Sequence, residues 1–236
     1  MMKLIIEDLV KNYEQKEVLK GINFEFESGK IYGLLGRNGA GKTTLFNCLN
    51  EDIETTSGEF YLSINNKNKE IDSSDIGYVL STPIVPEFLT GREFLKFFID
   101  INKDKIEKEK TIDEYFDLVK IDEEDRDKLL KEYSHGMKNK MQMLVNIIYN
   151  PKILLLDEPL TSFDVVVAEQ MKKLLKNIKK DRILIFSTHI MELALDLCDE
   201  IVILNNGKLE KIDNKNLKTE EFKEKIIKTL KGDNND

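Results

Sequence analysis

Eight residues, Gly36-Arg-Asn-Gly-Ala-Gly-Lys-Thr43, fit the spacing G-x-x-x-x-G-K-[ST]. Glycines at these positions let a backbone curl until several N–H groups point inward at phosphate oxygens. The Lys42 ammonium then reaches the β- and γ-phosphates, and the Thr43 hydroxyl ligates Mg²⁺. The apolar run Ile31–Leu35 ahead of the loop reads as a buried strand, and Thr44–Leu49 behind it as the first turns of a helix. That helix adds its positive dipole end to the anion site. A plain glycine turn between strand and helix is the competing reading, and the lysine, threonine and flanking elements together outweigh it. The residues expected to hold a nucleoside triphosphate are Gly36, Arg37, Asn38, Gly39, Ala40, Gly41, Lys42, Thr43 and Thr44.

A second constellation lies at Ile153-Leu-Leu-Leu-Asp157-Glu158-Pro159, a buried strand ending in two carboxylates. In a phosphate-loop ATPase, Asp157 at such a strand tip holds Mg²⁺ through water, and Glu158 polarises the attacking water. The alternative is that the pair caps a following helix. Ser187-Thr-His189 ends the next apolar run, where a histidine at the carboxyl edge of a parallel sheet is placed to touch a γ-phosphate. Taken alone, His189 reads more readily as a helix-capping or core residue. His135 is the only other histidine.

These side chains need a frame, and the 236 residues supply enough chain for a large core. Leu4–Val10 and Ile22–Glu27 alternate apolar and polar residues as half-buried antiparallel strands do. Glu59–Ile64 predicts another short strand, 65–70 a solvated hairpin tip, and Asp75–Leu80 a further strand. Between 88 and 150 the strand pattern gives way to helical spacing, with Leu95, Phe97, Phe98 and Ile101, then Ile112, Tyr115, Phe116 and Val119. Ile153–Leu156 and Ile183–Ser187 flank a helix with Met171, Leu174, Leu175 and Ile178 on one face, the order of a parallel sheet with right-handed crossovers. Ile201–Leu204, Asn205-Asn-Gly207 and Lys208–Ile212 carry the strongest hairpin signal. An amphipathic helix is expected over 217–230, packed on the core rather than on a membrane.

Composition narrows the partners. A net charge of −8 works against non-specific nucleic-acid binding. No apolar run reaches the ~18 residues a bilayer span needs, and the N-terminus lacks a signal-peptide pattern. Cys48 and Cys198 sit in apolar helical patterns without metal-ligand spacing, as buried reduced thiols of a cytoplasmic protein would.

Nearly the whole chain resembles the ATP-binding cassette (ABC) ATPases, in particular the nucleotide-binding subunits of transporters. Gly36–Thr43 matches the phosphate loop, Tyr133-Ser-His-Gly-Met137 is similar to the signature Leu-Ser-Gly-Gly-Gln, and Ile153–Glu158 matches the metal-binding strand with its glutamate. Leu160-Thr-Ser-Phe-Asp164 resembles the D-loop, His189 the switch histidine, and Tyr13 the aromatic residue that stacks on adenine. The resemblance implies an α/β fold: a P-loop NTPase cassette with a RecA-like parallel-sheet core, an antiparallel β subdomain and an inserted helical subdomain. Residues 1–87 and 151–236 would form the core and 88–150 the insert. It implies ATP and Mg²⁺ as cofactors, with Lys42, Glu158 and His189 catalytic. Two cassettes would pair head to tail, so that Ser134 and Gly136 of one contact the γ-phosphate held by the other. An integral-membrane permease would be the further partner, holding this chain on the inner face of the cell membrane.

Two departures from the family pattern matter, one at the glutamine position and one in the signature, whose final glutamine is Met137. Where the family has a metal-ligating glutamine, this chain has Ser81-Thr82-Pro83, which makes Ser81 a shorter and weaker metal ligand. The signature's first glycine is His135, tolerable if its φ stays negative, since the backbone N–H of Gly136 does the binding. With the Tyr-Ser-His-Gly-Met signature, the resemblance points to a drug or peptide exporter whose membrane subunit is a separate chain. The alternatives are a cassette that closes on ATP with little hydrolysis, acting as a switch, and a soluble cassette working on ribosomes or DNA.

Overall fold

A computed structural model describes residues 1–106 and 110–212, with Glu224 and Ile226. Strands β1 (Met2–Tyr13), β2 (Lys16–Glu27) and β3 (Lys30–Leu35) precede helix α1 (Lys42–Leu49). Strands β4 (Ser57–Ile64), β5 (Lys67–Lys69) and β6 (Ile76–Val79) follow, then helices α2 (Gly91–Ile101), α3 (Ile112–Leu118) and α4 (His135–Tyr149). The chain returns to the sheet with β7 (Ile153–Asp157), α5 (Val165–Ile178), β8 (Ile183–Thr188), α6 (Met191–Leu197), β9 (Glu200–Asn205) and β10 (Lys208–Ile212).

Two sheets result. The first is antiparallel in the order β2-β1-β4-β5, and the second has the order β10-β9-β3-β8-β7-β6. All neighbours in the second sheet run parallel except the β9–β10 hairpin. Its central strands are buried almost without interruption and mostly apolar because both faces are covered, as parallel sheets require. Successive side chains alternate between those faces. Leu154 and Leu156 of β7, with Leu184 and Phe186 of β8, face a layer built by Leu95, Phe116, Leu144, Met171 and Ala194 of the helices. Ile153, Leu155, Ile183 and Ile185 face the other way, onto Leu45, Phe46 and Leu49 of α1 and onto Leu4, Ile6 and Phe26 of the antiparallel sheet. Helix α1, and with it the loop that starts it, is therefore held between the two sheets.

The helical stretch carries its own start signals. Thr90 with Glu93 begins α2 and Thr111 with Glu114 begins α3, each as a reciprocal capping box, of a kind worth about 1 kcal/mol. Buried Arg126 ties the connection together, donating to Asp113 at 2.9 Å, to Asp117 at 2.5 Å and to the Ile121 carbonyl at 3.1 Å. Its guanidinium also lies 5.4 Å from the Phe116 ring centroid.

One local expectation needs correction. Of the segment 65–70, only Asn65 and Asn66 form the turn, with φ of 52° and 62°, while Lys67–Lys69 is a strand paired with β4. Asparagine tolerates the left-handed backbone of such a two-residue turn, and the strand beyond it can be polar because it is an exposed edge. The helix expected over 217–230 lies outside the described residues apart from Glu224 and Ile226, of which Ile226 is buried against the helical face of the core. Cys48 and Cys198 are free and buried, and burial pushes the Cys48 thiol up to about 11. Among the described residues no helix is long and apolar enough to cross a membrane.

Candidate functional site

Strand β3 delivers the chain into the loop 36–41, and α1 begins at Lys42. Gly39 and Gly41 have φ of +80° and +105°, the region in which side chains are rarely found. A Cβ at Gly41 would also come within 2.9 Å of Val18 Cγ1. The N-cap of α1 is Gly41 itself, and no side chain caps the helix. The N–H groups of its first turn therefore keep their capacity for an anion.

The loop walls a cavity of about 380 Å³, lined by Lys16, Val18, Asn38, Gly39, Gly41, Lys42, Thr43, Thr44, Ser81, Asp157 and Glu158. Residues from β2, α1, the loop after β6 and the tip of β7 thus meet around one space. Buried Lys42 donates to the carbonyl oxygens of Gly36 at 2.8 Å and Arg37 at 3.4 Å. Burial holds its ammonium below the usual lysine range, opposed through space by Glu158 and Asp157. A cation kept dry against carbonyls, rather than joined to a carboxylate, is ready for an incoming polyphosphate.

Asp157 is buried at the end of β7 and accepts from Thr43 Oγ1 at 2.9 Å and from the Ser187 hydroxyl. Glu158, one residue on, has φ of +52°, uncommon outside glycine, and its carboxylate finds other partners. Its Oε1 lies 2.8 Å from His189 Nδ1, and its Oε2 accepts from Thr188 Oγ1 at 3.4 Å. Neither competing role survives this geometry. Helix α5 is capped by Asp164, which accepts from the N–H groups of Val166 and Val167, so the Asp157–Glu158 pair caps nothing there. His189 is half exposed rather than core, and the N-cap of α6 is Ile190.

Not every expected residue reaches the cavity wall. Tyr13, at the end of β1, is exposed, with the Lys11 ammonium 5.0 Å from its ring centroid, and Lys16 and Val18 of β2 take the lining position instead. Neither belongs to a motif that marks it in the sequence. The two-residue turn that pairs Tyr13 with Lys16 was the available signal. Gly36, Arg37 and Ala40 shape the loop from behind, with the Ala40 N–H donating to the Arg37 carbonyl at 3.0 Å. Ser81 does line the cavity, together with Thr43 and Asp157.

Ser134 and Gly136 do not line it. Ser134 caps α4 by accepting from the Met137 N–H at 3.2 Å, and His135 has no positive φ. Gly136 backs onto the segment that follows Glu158, where a Cβ would sit 3.2 Å from the Ser162 carbonyl oxygen. Asn139, fully buried on the same helix, donates to the Pro159 carbonyl at 2.8 Å and to Ser162 Oγ at 3.2 Å. The start of α4 thus forms a second surface, apart from the cavity but hydrogen-bonded to the loop that carries Glu158.

For a metal ion the fit is a specific one. Among the described residues there is no group of three or more His, Cys, Asp or Glu side chains able to cage a cation. The donors at hand are the Thr43 hydroxyl and the Asp157 carboxylate, with Ser81 lining the same cavity. That set suits Mg²⁺, which keeps several waters and shares its remaining places between one or two carboxylates and substrate phosphates.

Known proteins resemble this chain over most of its length. The family model described as ABC transporter matches residues 19–161. An uncharacterized ABC transporter ATP-binding protein of Methanocaldococcus jannaschii is 36% identical over 208 residues, 87% of this chain and 75% of that one. The bacitracin transport ATP-binding protein of Bacillus licheniformis is 35% identical, over 86% of this chain and 66% of its own. A probable sulfate/thiosulfate import ATP-binding protein of Chlorella vulgaris is 30% identical, over 89% and 91%. Among solved structures, the ATP-binding subunit of an ABC transporter superposes with a TM-score of 0.77, covering 95% of this chain and 99% of that chain at 23% identity. At that identity it supports the fold alone.

Proposed function

This chain belongs to the ABC transporter family as an ATP-binding ATPase cassette, and from that premise we propose that it drives export through a separate membrane subunit by closing on ATP as a head-to-tail pair. The observation that carries the reading is the Glu158–His189 hydrogen bond at the rim of the cavity that also holds Lys42, Thr43 and Asp157. A base, its orienting partner and a phosphate cradle converge there.

In this reading the backbone N–H groups of the loop and of α1 bind the β- and γ-phosphates, and Lys42 leaves its carbonyl partners to meet them. Thr43 and Asp157 would hold Mg²⁺, which when bound would supply charge neutralisation to the phosphates. Glu158 accepts the proton of the attacking water as its oxygen bonds to the γ-phosphorus, while the bond to the bridging oxygen breaks to give ADP and inorganic phosphate. His189 holds Glu158 in place, and Lys42 offsets charge growing on the transferred group. Tyr13 would meet adenine from the rim.

Ser134 and Gly136 do not line this cavity in their own chain, which favours a role on a second copy's nucleotide. A cyclic pair then builds two equal sites. Ile84 and Phe88, strongly exposed just beyond Ser81, and Phe97 and Ile101 on α2 provide apolar surface for a membrane subunit. Attachment through that subunit would hold the chain at the inner face of the membrane.

Phosphate release by the purified chain, with its membrane subunit added where needed, tests the proposal. The wild type should release phosphate and Glu158→Gln should not, while still dimerising in ATP. ATP-dependent pairing without turnover in the wild type would instead assign an ATP-gated switch. Direction is a separate readout. Inverted vesicles bearing chain and permease should accumulate cargo if it exports, whereas uptake only into right-side-out vesicles would assign import.

A further inference from the structure

We propose that Gln142, midway along α4, is a positioning residue that holds the Leu80–Ser81 backbone at the metal end of the nucleotide cavity. The inference rests on the nucleotide site described above and concerns a residue outside that cavity's wall. Strand β6 ends the six-stranded sheet, and among the described residues no strand pairs with its outer side. Side-chain amides of α4 meet it there. Gln142 Oε1 accepts from the Leu80 N–H at 3.1 Å, and Asn146 Nδ2 approaches the Tyr78 carbonyl at 3.5 Å. Asn146 Nδ2 also donates to the Gln142 carbonyl at 2.8 Å, bracing the helix at that point. Gly77 lets α4 come this close, since a Cβ there would collide with Asn146 Oδ1 and Pro151.

Chemistry at this position argues for a specific bond. Gln142 is 8% exposed, on a helix whose Met141, Met143, Leu144 and Ile148 are also buried, and an unbonded buried amide is costly. The hydrogen bond to Leu80 redeems that burial and fixes the residue immediately before Ser81, which lines the same cavity as Thr43 and Asp157. Gln142 also sits eight residues beyond Ser134, about 12 Å along one rigid helix. A shift of the Ser134–Gly136 turn therefore moves the partner of the Leu80 N–H and, through it, Ser81. An amide on α4 thus couples the surface offered to a second copy to the metal end of the chain's own site.

The test uses the full chain, with Gln142→Met, which keeps length and apolar fit without the acceptor, and Gln142→Glu, which keeps an acceptor oxygen. Amide hydrogen exchange over 78–82 and ATP affinity at varied Mg²⁺ are read for each. In Gln142→Met the Leu80 amide should exchange about tenfold faster, as loss of one hydrogen bond predicts. The Mg²⁺ needed for half-maximal ATP binding should rise severalfold while metal-free ATP affinity holds. Gln142→Glu should restore both, and adding Ser81→Ala to Gln142→Met should shift Mg²⁺ dependence no further. Unchanged Leu80 exchange, or a Mg²⁺ shift that survives in full on the Ser81→Ala background, would overturn the assignment. A wild type that fails to bind Mg²⁺-ATP would overturn the nucleotide site and this inference together, whereas normal wild-type binding with an unaltered Gln142→Met removes the inference alone.

Discussion

Glu158 Oε1 and His189 Nδ1 lie 2.8 Å apart, although 31 residues separate them in the chain. The contact follows from sheet register. Asp157 pairs with Ser187 across the parallel strands β7 and β8, so the residues just beyond each strand emerge side by side. Glu158 has a left-handed backbone, and the two adjacent acids have different neighbours. Asp157 is bonded to hydroxyls in the interior, while Glu158 is bonded to an imidazole at the rim.

If His189 acts by holding Glu158, the two residues form one functional unit. His189→Ala should lower phosphate release by about 10²-fold, in the range general acid–base groups contribute. Adding His189→Ala to Glu158→Gln should lower it no further, since residues acting together are not additive. Steady-state phosphate release on the four variants of the cycle checks this, and additive losses would assign His189 an independent role.

Lys42→Met should abolish ATP binding yet raise the melting temperature of the nucleotide-free protein. Burial depresses the pKa of Lys42 in the folded state, so the folded chain binds its proton less firmly than the unfolded chain. The cost is fully present below the depressed folded value, where both states are protonated, and it fades as pH rises from there towards the unfolded value at 10.5. The melting-temperature gain of Lys42→Met should therefore shrink with increasing pH across that window. Thermal scans at several pH values, with calorimetric titration of ATP, measure both effects.

Arg126→Ala should destabilise the helical stretch without touching the cavity. The side chain is buried while its partners Asp113 and Asp117 are exposed, so water compensates part of the loss. A cost of about 1–3 kcal/mol is expected, or a fall of about 2–4 °C in melting temperature for each kcal/mol. Unchanged ATP affinity alongside lowered stability is the expected signature, and a chain as stable as wild type would show that the clamp contributes nothing.

Much of this protein can be read from its residues in order. Continuous apolar runs at Ile31–Leu35, Ile153–Leu156 and Ile183–Ser187 reveal buried parallel strands because both faces of such a sheet are covered. The turn Asn205-Asn-Gly207 announces its hairpin because few residues adopt its backbone. Lys67–Lys69 escaped detection because an exposed edge strand needs no apolar side chains. Lys16 and Val18 escaped because nothing local marks a strand residue as facing a loop folded against it from further along the chain.

The sequence by itself determined the phosphate loop, the carboxylates at the end of β7 and the family, because each is encoded in contiguous residues with strict local geometry. Tertiary structure alone decided which residues meet: His189 with Glu158, Asn139 with the Pro159 carbonyl, Gln142 with the Leu80 N–H. Those pairings depend on sheet register and on how closely α4 approaches β6. Both are set by packing of many side chains distant in sequence, which no short stretch of chain records.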